Sequence, residues 1–357
     1  MKCCTRFALI AVVSMFICCS GTLAHGTKNF PQFKLKNETA NLLTGTYIPE
    51  VRLLNTSDEE LFYISMNSSP EDQFQLGLLF GRGQGVKRNF SKCISLFEKA
   101  AARGHVEASF LLGTIYLKGG SIFREINTDV KYCGIFIPGG FPYDKIRAFH
   151  YYLISGNRGD MLSRDVCSVI KEQLLDTNTD TAEADRMRQS LEELALNGNA
   201  LALRFLAELY SDGKLVEQDE YKAFDLFKQS AEQGDVWGEY STARKYISGL
   251  GVEQDTAKGF IWMQKAARHN LVVAQFDLAV LYYLGTGTAV NRQMGYAWIL
   301  VAKANGHKEA ESIVNEDKNN GLTPEEEKNA YEIAAQLLAQ MSTLNGSNNL
   351  ITALSKY

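Results

Sequence analysis

Small and apolar residues in the second half of this chain return every 36 residues. A small residue opens each unit at Ala202, Gly238, Ala274 and Ala310. Five residues on comes a second small residue, Ala207, Ala243 or Ala279, and three beyond it an aromatic, Tyr210, Tyr246 or Tyr282. The units close on Gly234, Asn270 and Gly306. Upstream, Gly77 and Gly113 fit the second small column, and Phe80 and Tyr116 the aromatic one. A fixed period of this length predicts a repeat array, in which each unit buries an apolar face against the next. An array offers an extended surface rather than one deep catalytic pocket.

The stretch Val236–Asn270 shows what one unit contains. Gly238, Thr242, Ala243 and Tyr246 lie four, one and three residues apart, and Gly259, Trp262, Met263, Ala266 and Ala267 keep a similar rhythm. Both are one-sided helical stripes. Gly249-Leu250-Gly251 between them is a stop and turn signal. One unit is therefore an antiparallel helix pair. Its small residues allow close approach, and its aromatics fill the gap to the next pair. The expected fold class is all-α, an α-solenoid of antiparallel helix pairs.

The residues that carry this pattern resemble a known family. Gly77-Leu78-Leu79-Phe80 with Gly83, Gly85-Val86 and Ala100-Ala101-Ala102-Arg103-Gly104 is similar to the Sel-one-like repeat, a relative of the tetratricopeptide repeat. So is Gly249-Leu250-Gly251-Val252-Glu253-Gln254-Asp255 with Ala266-Ala267. The resemblance covers roughly residues 70–118, 145–160 and 195–340. It implies a superhelix that binds other proteins, usually without catalysis, and no cofactor.

The array is not uniform. Residues 25–68 have no repeat phase and read as a cover for the exposed end of the solenoid; Ser57-Asp58-Glu59-Glu60 within them resembles a capping box. Ser69-Pro70-Glu71 opens the first repeat helix, with Ser69 as cap and Pro70 at the first helical position. The solenoid is expected over 69–342. An insertion near 119–143, rich in Gly, Pro and aromatics, interrupts the second unit as either a binding loop or a neutral surface elaboration. Residues 160–198 form a divergent unit of two helices with a polar turn at Asp176–Asp180. Thr323-Pro324-Glu325-Glu326 starts a closing helix over 323–341, and the Asn/Ser-rich 343–357 is expected to be a mobile tail.

Composition narrows the compartment and the partners. The formal net charge is −4 with no basic patch, which argues against nucleic acid. Lys2 and Arg6, the apolar run Phe7–Cys19 and Thr22-Leu23-Ala24 read as a signal peptide over 1–24. Cleavage after Ala24 would leave His25 first and no stable membrane insertion. A retained anchor and a lipoprotein at Cys18 or Cys19 are the rival readings. The expected location is periplasmic or secreted. Cys93, Cys133 and Cys167 would remain, with Cys93 in a packing column and Cys133 and Cys167 a candidate pair. Sequons stand at Asn37, Asn55, Asn67, Asn89 and Asn345.

Catalytic signals are sparse. Ser168-Val169-Ile170-Lys171 matches the S-x-x-K spacing of serine β-lactamases, but K-T-G is missing. The five histidines show no metal-ligand spacing, and His105, His269 and His307 fall at turns between helices. No catalytic, cofactor or metal residue is assigned. The leading reading is a non-enzymatic scaffold that binds a protein or peptide in a concave groove. The alternatives are a periplasmic immunity protein that neutralises a secreted toxin and, last, a β-lactamase-like hydrolase.

The candidate partner site comes from the column three residues before the second small position. That column reads Phe74, Phe110, Arg204, Tyr240 and Phe276. Arg204 breaks an aromatic ladder, and Glu208, Trp237 and Arg244 fall nearby on the same helical face. Aromatic and arginine side chains dominate interface energies. Arg204, Glu208, Trp237, Tyr240, Arg244 and Phe276 are therefore the candidate binding residues.

Overall fold

The computed structural model describes residue 62 and residues 68–83, 86–119, 138, 140–175, 181–316 and 321–345. Among these residues there are fourteen α-helices and no strand. They run α1 (Pro70–Arg82), α2 (Phe90–Ala102), α3 (Val106–Lys118), α4 (Lys145–Asn157), α5 (Met161–Leu174), α6 (Thr181–Leu196) and α7 (Ala200–Asp212). Then come α8 (Glu220–Glu232), α9 (Val236–Ser248), α10 (Thr256–Arg268), α11 (Val272–Leu284), α12 (Arg292–Ala304), α13 (Lys308–Glu316) and α14 (Pro324–Asn345). The architecture is an all-α repeat solenoid in which helices pack mainly on their chain neighbours. The chain forms two compact units, Met1–Thr179 and Asp180–Tyr357.

The 36-residue ruler becomes physical in the helix pairs. Helices α7 to α12 are each 13 residues long, about 20 Å. The second small residue of each first helix meets the second helix at close range. A Cβ built on Gly77 would lie 2.6 Å from the Phe97 ring, and one on Gly259 would lie 3.0 Å from the Ala243 carbonyl oxygen. Ala207, Ala243 and Ala279 are completely buried. Any larger side chain there would overpack the pair. Cys93 lies in the matching column of α2, a buried free thiol whose pKa burial pushes up.

Loops and caps obey the local chemistry. In α1, Ser69 caps the helix, Pro70 takes the first position, and Asp72 closes the capping box, with Asp72 N–H donating to Ser69 Oγ at 3.1 Å. Thr323 and Glu326 form the same box ahead of α14, which runs on past the expected end to Asn345. The unit-ending turns hold Gly234, Asn270 and Gly306 with positive φ; Asn270, at 66°, is the one non-glycine, and asparagine tolerates this region. Helices α5 and α6 are the two helices expected in the divergent unit. The Asp176–Asp180 turn, the Ser57–Glu60 box, the signal region, most of the insertion and the 346–357 tail lie outside the described residues. So does Cys133, while Cys167 is buried in α5. No helix among the described residues is long and apolar enough to cross a membrane.

Candidate functional site

The column proposed to line a groove turns inward. Phe74 is 1% exposed, Arg204 8% and Tyr240 9%. Phe276 and Phe110 are half-buried. Three of these residues meet the next repeat in the array, and the pattern of partners is regular. Phe74 stacks on His105 with centroids 4.3 Å apart, and Phe276 stacks on His307 at 4.4 Å. Arg204 places Nε 2.9 Å from Asp235 Oδ2. In all three cases the partner stands 31 residues later, just before the next first helix.

That partner is a helix cap. His105 Nδ1 accepts from Ala108 N–H at 3.2 Å, and His307 Nδ1 accepts from Ala310 N–H at 3.4 Å. Asp235 Oδ2 accepts from Gly238 N–H at 2.9 Å. The column residue therefore seats the cap of the next unit: phenylalanine beneath an imidazole, arginine beneath a carboxylate. Arg204 departs from the aromatic ladder because its cap is Asp235. It also pairs with Glu208 Oε1 at 2.9 Å, so both are committed within the fold. The two cap histidines have structural roles, in keeping with their turn positions.

Tyr240 has another task. Its Oη donates to Asp277 Oδ2 at 2.8 Å, tying α9 to α11. Burial first, then this hydrogen bond, pushes its pKa up to about 12. Trp237 meets the Tyr240 ring edge-on at 5.8 Å, and the Arg244 guanidinium lies 5.8 Å from the same ring. Nearby, the carboxylate of Glu239 is wholly buried and meets Lys265 Nζ at 2.9 Å and His269 Nδ1 at 2.8 Å. This cluster fastens α10 to α9 and accounts for His269.

Two of the six candidate residues face solvent. Trp237 is 47% exposed and Arg244 is also exposed. They belong to one stripe of α9, Trp237, Ser241, Arg244 and Ser248. The stripe recurs 36 residues on in α11 as Val273, Asp277, Val280 and Leu284, with Val280 and Leu284 exposed. The Tyr240–Asp277 bond holds the two stripes side by side. Sequence reading missed Val280 and Leu284. The signal was their place in the columns of Arg244 and Ser248, where an apolar residue is not needed for packing.

The S-x-x-K pair lies on α5. Ser168 Oγ donates to the Arg164 carbonyl at 3.2 Å, the usual back-bond of a helical serine. Among the described residues no group of three His, Cys, Asp or Glu side chains could hold a metal.

The Sel1 repeat model, that of the Sel-one-like repeat, matches residues 70–105, 132–160, 200–235, 240–271 and 272–307. No curated protein matches the chain. Among solved structures, the chain is similar to a protective antigen of uropathogenic Escherichia coli strains displaying an SLR fold. The identity is 20% and the TM-score 0.37, over 84% of this chain and 66% of that one. It thus spans just under two thirds of that protein's length. It is also similar to a Sel1 repeat protein from Oxalobacter formigenes, at 20% identity and a TM-score of 0.40, over 77% of this chain and 89% of that one.

Proposed function

Since this chain belongs to the Sel1 repeat family, whose repeats mediate protein–protein interaction, we propose that it is a non-catalytic scaffold of the cell envelope or a secreted one. Its partner contact is the open face of α9 and α11. The observation that carries this reading is the pairing of two exposed stripes, Trp237 and Arg244 with Val280 and Leu284, held in register by the Tyr240–Asp277 bond. An exposed tryptophan beside an arginine and two aliphatic side chains has the composition of an interface centre. Tyr240 supports the face from beneath through Trp237, Arg244 and Asp277. Glu208 and Phe276 are half-buried and already engaged, by Arg204 and His307. The envelope location rests on the signal-like pattern of residues 1–24.

The test is recovery of a partner from the native envelope, and then titration. Trp237→Ala and Arg244→Ala should each raise Kd by about tenfold, or about 1.4 kcal/mol. Circular dichroism should show the helical content unchanged. A partner bound equally well by both variants would remove this face from consideration.

A further inference from the structure

The regular repeats over 200–307 have two unlike edges. Their turns from second helix to first helix, 232–235, 268–271 and 304–307, expose no large hydrophobic side chain, whereas the turn leading into them exposes Leu196 at 89%. The opposite edge carries the loops within each pair and the helix ends beside them. There Leu215 is 39% exposed, Leu250 52%, Val290 60% and Tyr221 78%. These loops form a continuous row. The second and third loops each sit on the start of the preceding pair's second helix, so closely that a Cβ on Gly251 would run into the Glu220 carbonyl oxygen and one on Gly287 into that of Thr256.

Two of the exposed residues break structural rules that the repeats otherwise keep. The second loop glycine has φ 71° at Gly251 and 74° at Gly287. At the same place stands Leu215 with φ 63°, a conformation that costs a branched side chain about 1 kcal/mol or more. Five residues after the C-cap glycine, Gln218 donates to the Ser211 carbonyl at 2.9 Å and Gln254 to that of Ile247 at 2.7 Å. The matching residue is Val290, which has no group to donate. Departures that sacrifice local stability and expose apolar surface mark functional positions.

The charges on the same row indicate what covers it. Glu217 and Glu253 are exposed and occupy one repeat column, and neither makes an ion pair among the described residues, although Lys258 acts electrostatically on Glu253; Lys214 of the same loops is held by Asp212 at 3.0 Å. We infer that this loop edge is a second interaction surface, distinct from the face of α9 and α11, and that it docks an amphipathic protein segment carrying lysine or arginine beside its apolar side chains. The apolar row supplies the contact area, and the two carboxylates select a basic partner. The same carboxylates disfavour an anionic lipid surface.

The full chain should be titrated with a synthetic amphipathic helix of leucine and lysine, and with its leucine and glutamate counterpart. The lysine peptide should bind at least about tenfold more tightly, and the double variant Glu217→Gln, Glu253→Gln should erase most of that preference. Leu215→Gly with Val290→Gln restores the repeats' own pattern. It should keep or raise the melting temperature while weakening the lysine peptide by about tenfold. Equal binding of the two peptides, no binding of either, or unchanged affinity in the restored variant would overturn the inference. Loss of peptide binding on Trp237→Ala with the edge variants unaffected would assign it to the α9 and α11 face instead.

Discussion

Residues 200–235 and 272–307 are the same repeat built with different chemistry. In 272–307 the cap of the next helix is His307, seated on Phe276, and the loop glycine Gly287 presses against the backbone of Thr256. In 200–235 the cap is Asp235, seated on Arg204, and the loop position is Leu215, half open to solvent. The first version relies on ring stacking and close backbone contact. The second relies on a buried ion pair and tolerates a strained leucine. One fold thus accepts either an apolar or an ionic solution at its inter-unit joint, provided that cap and seat change together.

The largest expected effect tests that joint. Asp235→Ala removes a cap and leaves the Arg204 guanidinium buried, with only Glu208 beside it. Denaturant unfolding should show a loss of about 3–5 kcal/mol. His307→Ala, which leaves only an apolar ring uncovered, should lose about 1–2 kcal/mol. Equal losses would mean that the two joints do not differ in the way their partners suggest.

Next comes the loop. Gly287→Ala both strains the backbone and drives a methyl group into the Thr256 carbonyl, and should lose about 2–4 kcal/mol. Leu215→Ala keeps the existing conformation in open surroundings and should stay within about 0.5 kcal/mol of the parent. Thermal melts of both variants would check this; a mild Gly287→Ala would show that the loop has room to move away.

A smaller gain is expected from Leu215→Gly. Relief of the left-handed conformation, offset by the added freedom of glycine in the unfolded chain, should stabilise by about 0.5 kcal/mol. A loss of stability would show that the Leu215 side chain packs more than its exposure indicates.

The finest test concerns Tyr240, which takes the place of Arg204 and Phe276 in the intervening unit. Its folded pKa, about 12, lies above the ordinary tyrosine value near 10. The folded state therefore holds the proton more tightly. The Tyr240–Asp277 contribution is complete below pH about 10 and declines as pH rises toward about 12. Tyr240→Phe should flatten the decline in stability over that window. An unaltered pH profile would remove the bond between α9 and α11 from the energetics.

Much of the fold was legible because helix pairing is written in local periodicity. The small columns, loop glycines, caps at Ser69 and Thr323, and the two helices of the divergent unit all come from neighbours three or four residues apart. The candidate site was legible only in part. Trp237 and Arg244 reach solvent. Arg204 and Tyr240 stand in the same sequence neighbourhood but turn inward, because a partner 31 or 37 residues away captures each of them.

The sequence by itself determined the repeat, its helical class and the positions where only a small residue fits, since these depend on periodicity and size within one unit. Only the tertiary structure decided which polar and aromatic side chains remain outside. Whether Arg204 faces a partner protein or the cap at Asp235 depends on the distance across a helix boundary. At 2.9 Å, burial and charge pairing settle that choice in favour of the fold.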